Sequence, residues 1–288
     1  MSNSTQETPI QERLALHLAH LVRERDPYLA TEGHFYAKTY IAQELSQFGT
    51  VHKHPFQTLK KYANSIHENL ILSLPGTQPL PPILIGAHFD TVPGSPGADD
   101  NASGLVVLLE LARYFYHHPA RYPLQIIAFD LEEYGCLGSQ AYAQDLKRNQ
   151  TRITTMMSLE MLGYTDQTPH SQNYPAGLEY LYPSTGNFIA LLGNLRSIPT
   201  MFKLSHHLKQ QGAPCEWLPV PFRGTILPDT RRSDHASFWD QGYAALMVTD
   251  TANLRNPHYH QPSDTLDTLD LDFLEAVYRG LVQALRWF

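Results

Sequence analysis

Short apolar runs bounded by turn residues alternate with helix-patterned stretches along most of this chain. That alternation restricts what it can fold into. The runs ENLILSL (68–74), PPILIGA (81–87), LQIIAFDL (124–131), ITTMMSLEM (153–161) and YAALMVT (243–249) read as buried strands. Between them lie helix patterns at 101–115, 139–149 and 202–212; the first carries Leu105, Leu108, Leu109 and Ala112 on one stripe. Strands separated by helices imply crossover connections. The expected fold is therefore α/β, a three-layer α/β/α arrangement with a central, mostly parallel mixed sheet covered on both faces.

The ends extend this pattern. A helical N-terminal segment is expected over 9–49. Thr8 can cap its first helix, Pro9 suits the first turn, and Gln11 completes a capping box. Ile10, Leu14, Leu18, Leu21 and Val22 follow at helical spacing, and Asp26-Pro27 stops them. A second helix over 35–48 ends at Gly49, and a closing helix over 272–288 turns Phe273, Val277, Leu281 and Leu285 inward. The stretch 163–200, rich in Pro, Gly, Tyr and Asn, reads as a long surface excursion that shapes a binding site. No repeat or composition shift divides the chain, so one domain over 1–288 is expected.

Bulk properties exclude several function classes. A net charge of -7 argues against a nucleic-acid partner. No apolar run approaches the roughly 18 residues of a membrane span. The N-terminus has no basic start followed by an apolar block, although a secreted mature chain would look the same. Cys136 and Cys215 are too few for a disulfide framework or a thiolate cluster. Two free thiols fit a reduced compartment, so a cytoplasmic location is expected.

The chemistry-bearing residues cluster by topology. Ligands of open α/β sheets bind beyond the carboxyl ends of the strands. His88 and Asp90 follow the second run, Glu132 and Glu133 the third, Glu160 ends the fourth, and His260 lies in the loop after the fifth. Asp99 and Asp100 occupy the turn that opens a helix, where acids also serve as ordinary caps. Carboxylates crowded at one sheet edge must protonate or be neutralised. With two histidines among them, a divalent cation is the economical answer, and zinc, cobalt or manganese suits this donor set. Of the adjacent pair Glu132-Glu133, one carboxylate can bind metal while its neighbour moves a proton. Asp90 can orient the imidazole of His88.

These residues sit in motifs: AHFDT (87–91), GADDNASG (97–104), LEEYGCLGS (131–139), LEMLGY (159–164), SDHASFW (233–239) and NPHYHQPSDT (256–265). In content and order they resemble the M28 family of co-catalytic zinc peptidases, the aminopeptidase Y group. The resemblance implies two divalent ions, zinc with cobalt or manganese as alternatives. It implies His88 and Glu160 on one ion, Glu133 and His260 on the other, and Asp100 bridging them, with the Asp100-Asn101 peptide cis. Glu132 is then the general base and Asp90 the support of His88. Glu160 stands where some members have aspartate.

The implied activity is removal of N-terminal residues from peptides with a free α-amine. A tyrosine commonly supplies a further oxyanion donor in this family; which of the 16 tyrosines does so is open. Asp234 and His235 either support the site or cap and pack a helix. Arg231 and Arg232 either meet a substrate carboxylate or are solvated. His206, His207 and His258 read as non-ligands, and Cys136 as packing beside the Glu132-Glu133 turn. Three alternatives stay open: a single-zinc glutaminyl cyclase, a carboxypeptidase or dipeptidase-type hydrolase, and a binding protein on a retired peptidase scaffold.

Overall fold

The computed structural model describes residues 8–58 and 65–288. Eight strands form one mixed sheet: β1 (Val51–Gln57), β2 (Ile66–Leu74), β3 (Ile83–His88), β4 (Leu124–Phe129), β5 (Thr155–Glu160), β6 (Ile189–Asn194), β7 (Cys215–Val220) and β8 (Ala245–Thr249). Their spatial order is β1-β2-β4-β3-β5-β8-β6-β7. The centre, β4-β3-β5-β8, is parallel throughout, and antiparallel pairings occur only toward the two sides. From β3 the chain moves to β4 on one side, then crosses back to β5 on the other. The carboxyl ends of these strands thus open a crevice at a point where the winding reverses.

Among the described residues, seven α-helices accompany the sheet: α1 (Ile10–Leu21), α2 (Thr31–Ser46), α3 (Gly104–His117), α4 (Leu137–Arg148), α5 (Ile198–Gln210), α6 (His235–Asp240) and α7 (Leu271–Arg286). Alternation along the strands sorts the core into two layers. Ile83, Ile85 and Ala87 of β3, with Ile126 and Ala128 of β4, pack under α1, α2, α3, α5 and α7. Leu84, Ile127 and Phe129 face the other way, onto Tyr142, Ala143 and Leu146 of α4 and Phe238 and Trp239 of α6. The expected three-layer α/β/α fold is present.

Several local expectations need correction. The first helix starts at Ile10 without a side-chain cap, because its cap position is Pro9, which has no side-chain acceptor, and the amide of Gln11 donates to Asp272 Oδ1 at 2.6 Å. The second helix begins four residues early, at Thr31. The stretch 163–200 is not wholly a surface excursion: Ile189–Asn194 enters the sheet as β6, antiparallel to β8. The edge strands β1 and β7 carry Pro55 and Pro219, which suit sheet edges and hide the strand signal. The leaderless reading of the N-terminus rests partly on residues 1–7, which lie outside the described residues. Among the described residues, no helix is long and apolar enough to cross a membrane.

The tight seam between β3 and β4 supports a stability prediction. A methyl group added at Gly86 would lie 2.3 Å from Phe129 Cε2 and 2.9 Å from Cδ2. Phe129 is fully buried and cannot retreat into solvent. Overpacking of this kind costs about 1–3 kcal/mol. Gly86→Ala is therefore expected to lower the Tm in thermal unfolding; an unchanged Tm would mean the ring finds another rotamer.

Candidate metal centre

The turn following β3 and the turn opening α3 meet over the carboxyl ends of the strands. His88 is the last residue of β3 and Glu160 the last of β5. Asp100 lies in a kinked turn, Ala98–Ser103, entered through Gly97 at φ 62; its own backbone is non-helical (φ -104, ψ 87), and its peptide bond to Asn101 is cis. Asp264 anchors this turn by accepting the amides of Asp99 (2.9 Å) and Asp100 (3.1 Å). Asn101 ties it to β5, donating to Leu159 O (2.8 Å) and accepting from Met161 N (3.1 Å). The motifs containing Asp264 and Asn101 were visible in the sequence; these bridging roles were not.

His88 Nε2 stands 3.3 Å from Asp100 Oδ1 and 3.4 Å from Glu160 Oε1. His260 Nε2 stands 3.1 Å from Asp100 Oδ2 and 3.2 Å from Glu133 Oε2. Two three-residue groups that could hold an ion, His88-Asp100-Glu160 and Asp100-Glu133-His260, therefore share Asp100, one carboxylate oxygen to each side. A third grouping, His88-Glu132-Glu133, overlaps both.

Two features fit this set to cations. Despite their proximity to acids, His260 Nε2 and Glu133 Oε1 are buried without a hydrogen-bond partner. The separations also match the edges of a coordination shell: ligands at about 2.0–2.1 Å in tetrahedral geometry lie roughly 3.3 Å from one another. Electrostatics points the same way. Burial, then the charge of Asp100, pushes Glu133 up to about 7. Burial alone would lower His260, but contact with Asp100 and Glu133 raises it to about 10. Burial likewise disfavours charged His88, yet Glu160 and Glu132 hold its pKa well above the usual range. Such a cluster retains protons unless a cation replaces them.

Asp90 does more than face His88. Its carboxylate is 3.5 Å from His88 Nδ1, whose nearer partner is the Asp90 carbonyl at 3.2 Å. The same carboxylate accepts the amides of Glu132 (3.0 Å) and Glu133 (3.1 Å), fixing the turn that carries both acids. Ser233 donates to the second oxygen of Glu160 at 2.7 Å. The longer side chain of Glu160 thus reaches His88 with one oxygen and is steadied at the other.

The sequence model of peptidase family M28 matches residues 69–285. This chain belongs to peptidase family M28. It is 36% identical over 221 residues to the uncharacterized protein YfbL of Escherichia coli, covering 71% of this chain and 66% of that one. It is 27% identical over 235 residues to leucine aminopeptidase 1 of Emericella nidulans, covering 75% and 54%. These alignments span just under two thirds and about half of the relatives' own lengths. The fold matches the LapA aminopeptidase of Legionella pneumophila (TM-score 0.68, 21% identity, 96% of this chain and 69% of that one). It equally matches the glutaminyl cyclase of Porphyromonas gingivalis (TM-score 0.68, 19% identity, 96% of each chain).

Around the centre, this M28 chain places residues that the sequence left open. Tyr259 stacks on His260 with ring centroids 3.7 Å apart, and its hydroxyl accepts from Arg232 Nη2 at 3.0 Å. Arg231 instead pairs with Asp240 at 2.7 Å. Asp234 is fully buried, its carboxylate oxygens are unpartnered, and burial pushes its pKa up to about 7. His235 bonds to Thr230 O at 2.9 Å and packs edge-on to Trp239. His258 bonds to Ser263. Cys136 and Cys215 are both free, and the Cys136 thiol donates to Glu132 Oε1 at 3.5 Å.

Proposed function

We propose that this chain is a two-metal aminopeptidase that hydrolyses the N-terminal peptide bond of peptides bearing a free α-amine. The observation that carries the reading is the sharing of Asp100 between two buried groups, each with its own imidazole, beside a further carboxylate, Glu132. His88 and Glu160 would hold one divalent ion, Glu133 and His260 the other, and Asp100 would serve both. Zinc suits the nitrogen and oxygen donors, and cobalt or manganese fits the same set. Bound ions of this kind acidify water and polarise a scissile carbonyl.

The remaining work falls to side chains. Glu132 takes a proton from the attacking water on its carboxylate and delivers it to the leaving amine. Asp90 holds the Glu132 backbone in place for this transfer. Tyr259 is the candidate donor to the oxyanion. Because Arg232 already donates to its oxygen, the phenolic proton is free to point elsewhere. Burial raises the Tyr259 pKa, with Asp100 and Glu133 adding to it, so the proton stays on.

An apolar pocket opens beside Glu160 and Tyr259, walled by Tyr174, Phe188, Trp217, Leu218 and Met247. Its lining suits a large apolar N-terminal side chain. A panel of aminoacyl chromogenic substrates tests the reading, run with chelator and then with zinc, cobalt or manganese restored. Cleavage of free-amine leucyl or phenylalanyl substrates, absent with N-blocked ones and abolished by chelator, is expected. The glutaminyl cyclase fold match motivates one added arm, a substrate with N-terminal glutamine. Cyclisation without hydrolysis, with one zinc per chain, would replace the aminopeptidase reading.

A further inference from the structure

The turn Leu131-Glu132-Glu133 is closed locally by the amides of Gly135 and Cys136 on Glu132 O (2.8 and 2.7 Å) and of Leu137 on Leu131 O (2.9 Å). Asp90 accepts the amides of Glu132 and Glu133, but the turn contains residues in the left-handed region. Leu131 sits at φ 60 and Cys136 at φ 58, a region unfavourable for side chains with a Cβ. Side chains from outside the turn add support at each of its ends. On its N-terminal side, Asp130 is buried directly after β4. Its Oδ1 accepts from His34 Nε2 at 2.7 Å and from Leu131 N at 3.0 Å; its Oδ2 accepts from His67 Nδ1 at 2.9 Å. On its C-terminal side, the Tyr134 hydroxyl donates to Asp26 Oδ2. Asp26 is itself fixed, its other oxygen accepting the amides of Tyr28 (2.8 Å) and Leu29 (2.6 Å).

We propose that Asp26, His34 and His67 are positioning residues that clamp the Glu132-Glu133 turn from both ends, through Tyr134 and Asp130. All three precede residue 69, where the match to the M28 family begins. The N-terminal helical segment, which carries no family motif, thereby becomes part of the apparatus that aims Glu132. The inference rests on the reading of Glu132 as the base.

The His34-Asp130-His67 cluster also resembles a metal site in composition. Its distances argue otherwise. Contacts of 2.7 and 2.9 Å are ordinary hydrogen-bond lengths, whereas the metal centre shows 3.1–3.4 Å. Each Asp130 oxygen is already occupied by a proton donor. Burial would raise Asp130, but hydrogen bonds from His34 and His67 keep it below the ordinary carboxylate range, so it remains an acceptor.

The test compares His34→Ala, His34→Gln and Tyr134→Phe in the full chain loaded with zinc. A glutamine amide can replace the Nε2 donor; Tyr134→Phe removes a single hydroxyl and threatens folding least. Three measurements are made: steady-state kinetics (kcat and KM) on an aminoacyl chromogenic substrate, zinc per chain, and hydrogen exchange of amides 131–136 against those of α7. For H34A, kcat is expected to fall at least tenfold with KM within about twofold, zinc to stay at two, and the turn to exchange at least tenfold faster while α7 is unchanged. H34Q recovers most of kcat, and Y134F moves turn exchange and kcat in the same direction as H34A. Unchanged turn exchange in Y134F and in folded H34A overturns the clamp. So does a third zinc in the parent chain that H34A loses. If the parent cleaves no substrate, the aminopeptidase reading fails, and the exchange data still decide whether the clamp exists.

Discussion

Glu132→Gln is expected to lower kcat by about 10³-fold while leaving two metal ions per chain, since general acid–base catalysis contributes typically 10²–10⁴-fold. Glutamine matches glutamate in size and shape, so the turn held by Asp90 should persist, as should the cage around Asp100. What disappears is a carboxylate able to take a proton. Desolvation favours protonation of Glu132 and Glu160 and Glu133 reinforce it, against the pull of His88. These are the surroundings of a group poised to accept a proton, and an amide in the same place accepts none. KM should change little, because the side chain meets water rather than the bound α-amine. Steady-state kinetics and elemental analysis on the same preparation check the prediction. A variant that keeps two ions and turns over substrate normally would remove Glu132 from the mechanism.

The legible residues share a physical reason. His88 and Glu160 end strands β3 and β5, and Glu132 and Glu133 lie just beyond β4. Strand ends are readable from apolar runs, and parallel strands deliver their carboxyl ends to one edge. A residue assigned to a strand end is thereby assigned to the site. The mixed, mostly parallel sheet was legible for the same reason.

What escaped the sequence depends on tertiary approach. Arg25 is fully buried and fans its guanidinium onto the carbonyls of Leu21, Arg23, Phe89, Pro96 and Gly97. It thereby braces both the His88 turn and the Asp100 turn. Backbone carbonyls carry no sequence signature, so no motif announces this role. His34 and Asp26 escape because their side-chain partners, Asp130 and Tyr134, lie about a hundred residues away. The edge strands escaped because edges tolerate prolines and charges that interior strands exclude. Tyr259 could have been found: of the tyrosines, it is the one that directly precedes a candidate ligand, His260.

Asp100→Asn is expected to remove both ions at once. Each oxygen of Asp100 faces a different imidazole, at 3.3 Å from His88 Nε2 and 3.1 Å from His260 Nε2. An asparagine keeps one oxygen and turns an amide group, which offers only protons, toward the other side. The surviving oxygen is neutral, so the centre loses the anion common to both positions. The backbone should remain, because Asp264 holds the amides of residues 99 and 100 and Asn101 bridges to β5, none of which uses the Asp100 side chain. Loss of an outer-shell partner typically costs about 10–100-fold in metal affinity; loss of a shared ligand should exceed that for both ions. Zinc bound after dialysis is expected to fall from two per chain toward zero, and turnover to background. Thermal unfolding gives an independent reading. A ligand that binds only the folded state raises the Tm, so chelator should lower the Tm of the parent chain and leave that of the variant unchanged. If Asp100→Asn held both ions at parental affinity, the two groups could not depend on a common carboxylate, and the centre would have to be rebuilt around His88, Glu132 and Glu133.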